Sequence, residues 1–432
     1  METLEISLIA LGAFFALMLL GMPIAFAFAL VGGIGTIIVK GLNPGLALLG
    51  SAPFTWATNY NLLALPTFIM MGEFIYHAGV SSQLYEAGYK WVGRFRGGLA
   101  ISTELASTAF GACCGTSLAA SATMGTVAFP EMIKYKYNPR LACGAIAAGG
   151  SLSSLIPPSA PFIVYGFMTN TSVSKLFIGG IVPGILLSAG FILAIIIMCW
   201  RNPSLGPPGP SFPLKERLKS LTGVGGALFI FVVVMGGLFA GVFTPSEAGT
   251  IGAFGAFVLI IIMRKLTWSN LKGALKGGIK STSFVLTITI GAMIFTNFLT
   301  VSGFTSMFTG YVLGLDFPPG VLMVFLIIMY VILGCFMDAL AMFMLTLPIV
   351  FPIVIGIGFD AVWYGIISTM LCEVALITPP VGMNSFIVHG VTGVPLPEVF
   401  RGILPFFIIM FLAIIVLYFF PEIVTFLPDI MH

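Results

Sequence analysis

Two Pro-Pro pairs, each set among small and hydroxyl-bearing residues, lie inside long apolar segments of the sequence. The first lies in Gly149-Gly-Ser-Leu-Ser-Ser-Leu-Ile-Pro-Pro-Ser-Ala-Pro161, and the second lies in Leu376-Ile-Thr-Pro-Pro-Val-Gly-Met-Asn-Ser385. Proline removes a backbone donor and interrupts a helix, and bare backbone at membrane depth is tolerated only inside protein or beside a wet cavity. Matching helix breaks in two halves of a chain indicate the binding site of a transporter.

The breaks and two further segments, Gly111–Ser117 and Gly334–Asp338, are rich in oxygen ligands and poor in cations. Hydroxyls and unwound carbonyls can form a sodium cage, to which helix C-terminal ends add negative dipole. We predict a first sodium site at Gly115, Thr116, Ser117, Ser153, Ile156 and Pro157, and a second at Gly334, Met337, Asp338, Thr378 and Val381. Substrate is predicted to bind between them at Ser159, Asn384, Ser385 and Thr123. The alternative for any one hydroxyl is an ordinary hydrogen bond within its helix.

Four acidic residues also lie within apolar segments: Glu73, Glu104, Asp338 and Glu373. Acids inside a membrane are costly and therefore suggest function, although a structural pairing of Glu73 or Glu104 is an open alternative. Residues 97–133 and 281–400 contain no Lys or Arg. We therefore expect an anionic substrate to be met by half-helix N-termini, hydroxyls and bound sodium.

The composition indicates a polytopic, all-α membrane protein. Hydrophobic residues make up 59% of the 432 and charged residues only 8%, whereas a soluble domain carries about 25% charged residues. The first apolar run lacks the basic start of a cleavable signal and is interpreted as a retained membrane segment. The six cysteines show no CxxC spacing, which argues against a zinc site or a disulfide framework.

The distribution of basic residues predicts one re-entrant hairpin in each half. Residues 97–133 are bracketed by Lys and Arg at both ends, which places both ends on the cytoplasmic side. Residues 321–357 have acidic or neutral flanks, which suits the outer face. The hairpins would therefore open to opposite sides, among roughly ten membrane crossings.

The two halves recur at a nearly constant offset. Pro23 matches Pro245, Phe129-Pro130 matches Phe351-Pro352, and the first Pro-Pro pair matches the second, all 222 residues apart. We predict two inverted repeats, 1–200 and 222–432, joined by a cytoplasmic linker at 201–221. Inverted repeats are associated with alternating access.

No nucleophile–base pair, metal cluster or Walker-type phosphate loop appears in the sequence. This disfavours a membrane-embedded enzyme and ATP hydrolysis by this chain, so transport would be driven by an ion gradient or a partner. A purely structural membrane subunit is a further alternative, but it would not need two matched helix breaks.

Four motifs, in order along essentially the whole chain, carry a resemblance to a known family. They are Gly115-Thr-Ser-Leu-Ala-Ala-Ser-Ala-Thr-Met-Gly125, Ser154-Leu-Ile-Pro-Pro-Ser159, Thr244-Pro-Ser-Glu-Ala-Gly249 and Ile377-Thr-Pro-Pro-Val-Gly-Met-Asn384. The chain thus resembles the large membrane subunit of tripartite ATP-independent periplasmic (TRAP) transporters.

The resemblance implies a sodium-driven importer of organic acids, such as C4-dicarboxylates, sialic acid or other sugar acids. It implies an elevator-type fold in the bacterial or archaeal inner membrane, a separate small membrane subunit of four helices and a periplasmic substrate-binding protein. The nearest alternative is a stand-alone sodium–dicarboxylate symporter with a similar fold, which would need no binding protein.

Overall fold

The fold was obtained as a computed structural model that describes residues 3–430. Within that range the chain forms twenty α-helices and two short 3-10 helices and contains no β-strand, so the predicted all-α class is confirmed. Residues 1, 2, 431 and 432, at the outer ends of the two predicted repeats, lie outside the described residues. The helices of the first half are α1 (Thr3–Leu19), α2 (Ile24–Lys40), α3 (Leu42–Ala57), α4 (Ala64–His77), α5 (Val80–Val92), α6 (Gly98–Cys114), α7 (Ser117–Lys134), α8 (Pro139–Leu155), α9 (Ala160–Thr169) and α10 (Val173–Arg201).

The second half repeats this order of elements. Its helices are α11 (Leu214–Phe239), α12 (Pro245–Ile262), α13 (Trp268–Val301), α14 (Phe304–Gly314), α15 (Pro319–Leu333), α16 (Ala339–Gly356), α17 (Ala361–Ile377), α18 (Met383–Thr392), α19 (Leu396–Phe419) and α20 (Glu422–Asp429). At the offset of 222 residues, the bounds of α7 and α8 coincide with those of α16 and α17. This agreement supports a duplication of the chain.

Each half contains one helical hairpin, as the sequence predicts. The first is α6 and α7, and the second is α15 and α16. Gly115 ends α6 with a φ of 67°, a left-handed conformation that glycine adopts without a steric penalty. Its N–H is bonded to the carbonyl of Gly111, and the chain turns back into α7 two residues later.

The two broken helices form the core of the protein. The first runs through α8 and α9, whose most apolar window is 94% buried, and the second runs through α17 and α18. Both Pro-Pro bonds are cis. Small residues allow close packing here, because a side chain at Gly144 of α8 would collide with the carbonyl oxygen of Gly402 on α19. The first break is therefore enclosed by protein, as bare backbone at membrane depth requires, whereas Pro379 and Pro380 of the second break are exposed.

The helices pack in two groups around this core. We call the hairpins and broken helices, α6–α9 and α15–α18, together with α19, the central body, because they pack mainly on one another. We call α2, α4, α12 and α13 the frame, in which α13 packs on α2 and α4, and α12 packs on α4. The body meets the frame where α6 contacts α4 and where α16 contacts α13.

The spans agree with a polytopic protein. Among the described residues, seven helices or continuous helix pairs are long and apolar enough to cross a membrane, and α1, α2, α15 and α17 are apolar but shorter. Helices α4 and α5 are bent by 63° relative to each other and are together long and apolar enough to form one further, broken span.

The non-helical segment between α10 and α11, which joins the two halves, is shorter than the predicted linker 201–221. After α10 the chain passes through a 3-10 turn at Pro203–Leu205, and α11 begins at Leu214. The three prolines at 207, 208 and 210 keep the chain non-helical, whereas Pro213 precedes the helix, where its missing N–H costs nothing. The basic residues Lys215, Arg217 and Lys219 therefore belong to the first turns of α11.

We expect single cysteines at Lys134 and Asp360 to react with membrane-impermeant thiol reagents from opposite sides. The reason is that basic residues bracket only the first hairpin, so the two hairpins open to opposite faces. Labelling of right-side-out and inside-out vesicles, in a background without native cysteines, measures this. Reaction of both positions from the same side would contradict the inverted arrangement.

Candidate substrate and ion site

Three helix N-termini of the central body meet at one cavity. Helix α7 begins after Thr116, α9 begins after Ser159, and α16 begins after Asp338. The first residues of all three helices line a cavity of about 450 Å³, which we call the central cavity. A helix N-terminus carries a partial positive charge, so the central cavity is suited to an anion. At α9 this is the charge of the dipole rather than free donors, because the N–H of Ala160 bonds to Gly115 and Pro161 has no N–H.

Two helix C-termini reach the same cavity. Ser154 lies one residue before the end of α8, and Leu376 lies one residue before the end of α17, and both line the central cavity. The last carbonyls of a helix lack intrahelical partners and carry the negative end of the dipole. The breaks thus bring together helix ends of both polarities, one suited to an anion and the other to a cation.

The opposite wall of the central cavity belongs to the frame. Ile69 and Glu73 of α4 line it together with the stretch from Gly277 to Val285 of α13. Glu73 packs so closely on α13 that a side chain at Gly277 would collide with its carboxylate. The Oε2 atom of Glu73 lies 3.6 Å from Nδ1 of His77, so Glu73 takes part in a structural pairing as well as lining the cavity.

Lys280 is a candidate binding residue that the sequence reasoning missed. Among the described residues it is the one Lys or Arg that lines the central cavity, and it is exposed. It directly precedes the cation-free run 281–400. The signal was its position as the last charged residue before the long uncharged part of α13.

The structure brings the first hairpin tip to the first break. The backbone N–H of Ala160 donates to the carbonyl oxygen of Gly115 over 3.1 Å. Thr116 and Ser117 line the central cavity. These three predicted ligands of the first sodium therefore lie together, next to the N-terminus of α9.

The other predicted ligands of the first sodium have different surroundings. The Ser153 hydroxyl donates to the carbonyl oxygens of Ser107 and Gly149, at 3.1 and 3.2 Å, so it faces α6. The side chains of Ile156 and Pro157 line a separate, almost wholly apolar groove of about 250 Å³ between α6, α10 and α11. The role of Ser153, Ile156 and Pro157 as sodium ligands remains a prediction.

The second hairpin tip lies against the second broken helix. Gly334 packs directly on Ala375 of α17, where a side chain on the glycine would collide. Asp338 is 9% exposed, lines the central cavity and lies beside the backbone N–H groups of Leu340 and Ala341. Its carboxylate thus sits at the start of α16, at the edge of the predicted second sodium site.

The remaining predicted ligands of the second sodium surround the break. Met337 is buried, and Val381 is half-buried within the non-helical segment. The Thr378 hydroxyl donates to the carbonyl oxygen of Val374 in the last turn of α17. Pro379 and Pro380 are exposed, whereas Pro157 and Pro158 are buried, so the two breaks differ in access.

The predicted substrate residues are divided between several places. Ser159 is buried at the start of α9, and its hydroxyl donates to the carbonyl oxygen of Ser154. Asn384 and Ser385 are fully buried in α18, behind the wall of the central cavity. Thr123 lines a second, adjoining cavity of about 240 Å³, which also contacts Glu73. The central cavity therefore adjoins the predicted substrate residues without being lined by their side chains.

A family model matches nearly the whole chain. Residues 11–423 match the model described as "Tripartite ATP-independent periplasmic transporter, DctM component". The C4-dicarboxylate TRAP transporter large permease protein DctM of Pseudomonas aeruginosa is 35% identical over 377 residues, covering 87% of this chain and 88% of that protein. The 2,3-diketo-L-gulonate TRAP transporter large permease protein YiaN of Escherichia coli is 30% identical, covering 96% and 97%.

A solved structure shares the fold. The crystal structure of the Alcanivorax borkumensis YdaH transporter, described as having an unusual topology, superposes with a TM-score of 0.68. It is 13% identical in sequence and covers 93% of this chain and 98% of that one. At that identity the likeness concerns the fold alone, and it supports the predicted transporter-type arrangement of hairpins and broken helices.

We expect Lys280→Gln to weaken binding of organic anions at the central cavity by about three- to tenfold in Kd. The substitution removes the cation of the wall, and the effect is modest because an exposed charge is partly screened. The measurement is the thermal stabilisation of the purified protein by a panel of mono-, di- and sugar carboxylic acids.

Lys272→Gln is the matched control, since it removes a charge from the same helix away from the central cavity. It should leave the stabilisation unchanged. Equal stabilisation of the wild-type and Lys280→Gln proteins by every acid that binds would contradict a role for Lys280.

Proposed function

The chain belongs to the family of DctM components of tripartite ATP-independent periplasmic transporters, and on that basis we propose that it imports an organic acid with sodium. As a large permease subunit it is a multi-pass inner-membrane protein. We propose a substrate class, a coupling ion, two partners and an elevator-type movement, and each is supported by a different feature of the described residues.

The single observation that carries the proposal is the convergence at the central cavity. The N-termini of three helices meet at one space of about 450 Å³, which Lys280 lines together with the acidic residues Glu73 and Asp338. Such a space suits a small molecule bearing one or two carboxylates. The names of the P. aeruginosa and E. coli relatives, which specify a C4-dicarboxylate and a diketogulonate, support an organic acid of this size.

Sodium as the coupling ion is supported by the oxygen-rich helix breaks. The hairpin tips place Thr116, Ser117 and Asp338 beside the C-terminal ends of α8 and α17. Hydroxyls, carbonyls and a carboxylate are hard ligands suited to an alkali cation. A bound cation would also reduce the cost of placing an anionic substrate in the membrane.

An elevator-type movement is supported by the composition of the cavity walls. One wall consists of helix ends of the central body, and the other consists of α4 and α13 of the frame. A cavity at such a boundary can change its access when the body slides against the frame. Inverted repeats supply two related arrangements of the same parts, one open to each side.

The partners would be a small membrane subunit of four helices and a periplasmic substrate-binding protein. On the predicted outer face, a polar groove of about 420 Å³ runs between the frame and the α9–α10 turn. Asn61, Asn170 and Thr244 are among the residues that line it. This groove is a suitable position for a soluble partner to release substrate, and exposed apolar side chains such as Phe229 and Val232 of α11 suit a membrane partner.

We expect uptake into proteoliposomes to require an inward sodium gradient, the small subunit and the loaded binding protein, and to proceed without ATP. The reason is that the chain has no phosphate-binding loop and that delivery would occur at the outer groove. The measurement is accumulation of radiolabelled organic acid with each component omitted in turn, and with sodium replaced by choline.

Robust uptake of free acid without any binding protein would favour the stand-alone symporter and contradict the tripartite assignment. Uptake that is the same in choline as in sodium would contradict sodium coupling and leave the tripartite assignment intact.

A further inference from the structure

A buried polar cluster lies behind the central cavity, between the two broken helices. Its centre is Glu373 of α17, which is 1% exposed. The hydroxyls of Ser117, Ser151 and Ser154 lie against its carboxyl group. Asn384 of α18 completes the cluster, with its Nδ2 atom 3.0 Å from Oγ of Ser151 and 3.4 Å from Oε2 of Glu373.

The oxygen atoms of this cluster are incompletely satisfied. At standard hydrogen-bond geometry, Oε1 of Glu373 and Oδ1 of Asn384 have no partner among the described residues. Buried polar atoms are normally paired, and each exception calls for an explanation such as a bound ion. Two such atoms on two adjacent helices, next to three serine hydroxyls, point to a ligand rather than to a local defect.

The cluster also lacks positive charge. The ion pairs of the described residues do not include Glu373, and its neighbours in the cluster are hydroxyls and an amide. A lone carboxyl group in a membrane interior is expensive in its charged form, so it either keeps its proton or is compensated by a cation. Glu373, unlike Glu104, has several neutral oxygens beside it that could hold the cation. Divalent ions usually draw on further carboxylates, and no group of three His, Cys, Asp or Glu suited to a metal occurs in residues 3–430. A monovalent cation matches one carboxylate and several neutral oxygens.

We propose that Glu373 binds a sodium ion together with Ser117, Ser151, Ser154 and Asn384. The inference rests on the proposed sodium coupling and specifies a site centred on Glu373, which shares only Ser117 with the predicted sodium ligands and takes Asn384 from the predicted substrate residues. Rotation of the Asn384 amide by half a turn would exchange Nδ2 for Oδ1 and convert a donor into a ligand. The hydroxyl groups need only turn their hydrogens away from the ion.

This site joins the two repeats. The three serines belong to α7 and α8 of the first half, whereas Glu373 and Asn384 belong to α17 and α18 of the second. Ser117 and Ser154 also line the central cavity, so the ion would lie directly behind its wall. Sodium binding would therefore fix the start of α7 and the end of α8, two helix ends that line the cavity in which the substrate is proposed to bind.

Glu373→Gln is the test, because it keeps the shape of the side chain and removes its charge. We expect the sodium concentration for half-maximal thermal stabilisation to rise by about tenfold or more, the usual effect of losing one charge-assisted contact. The melting temperature in choline should stay at or above that of the wild type, since an uncompensated charge is removed. Melting curves of the purified complex are recorded across sodium titrations at constant ionic strength.

Glu104→Gln is the matched control. Glu104 of α6 is also fully buried, and neither of its carboxyl oxygens has a partner among the described residues, but the serine–asparagine cluster does not surround it. Its sodium response should equal that of the wild type. If Glu373→Gln does not fold, Ser151→Ala removes one oxygen of the cage and should raise the half-maximal sodium concentration in the same direction.

Three outcomes of these melting experiments distinguish a failure of the Glu373 site from a failure of the proposed sodium coupling. A wild-type protein that sodium stabilises no more than choline would overturn both. A normal wild-type response that Glu373→Gln, or Ser151→Ala in its place, leaves unchanged would overturn the Glu373 site alone. Loss of the response in Glu373→Gln with retention in Glu104→Gln would support it.

Discussion

The backbone of a membrane-embedded chain must satisfy its polar groups within the protein, and every feature of the candidate site depends on this constraint. Interrupting a helix in the membrane frees carbonyls on one side of the break and N–H groups on the other. The chain encloses the first interruption within the central body and closes it with a hairpin tip through the hydrogen bond from Ala160 to Gly115. At the second interruption the hairpin tip packs on α17 through Gly334 and Ala375, and the two prolines stay exposed. The polar groups at the helix ends that these contacts leave unpaired lie at the central cavity or at the buried Glu373 cluster.

Charge in this site comes mainly from helix ends rather than from side chains. The starts of α7, α9 and α16 supply partial positive charge, and the ends of α8 and α17 supply partial negative charge. Few full charges are then needed, and each of them has a distinct position. Lys280 lies on the frame, Asp338 on a hairpin tip and Glu373 between the repeats. A substrate anion and coupling cations can thus be placed close together without a dense cluster of ionised residues.

Local sequence signals predicted most of the fold and only part of the site. Pro157-Pro158, Pro379-Pro380 and the constant offset identify the breaks and hairpins, because proline and glycine act on the backbone wherever they occur. Lys280 and the Glu373 cluster depend on contacts between residues more than 100 positions apart, such as Ser151 with Asn384. Those contacts follow from packing between the two halves, which composition and spacing do not specify. The helical start of α11 was missed for a similar reason, since a proline-rich run masked the helix-forming residues that follow it.

If the central body moves against the frame during transport, a reversible cross-link between the two will block uptake. Ile69 of α4 and the native Cys114 of α6 both line the cavity of about 240 Å³ at this boundary. In a protein whose other native cysteines are replaced, Ile69→Cys and Cys114 would be bridged by a short bifunctional thiol reagent, with the singly modified protein as control. We expect the bridge to abolish sodium-driven uptake and reduction to restore it. Full uptake by the bridged protein would show that transport needs no movement of the central body against the frame.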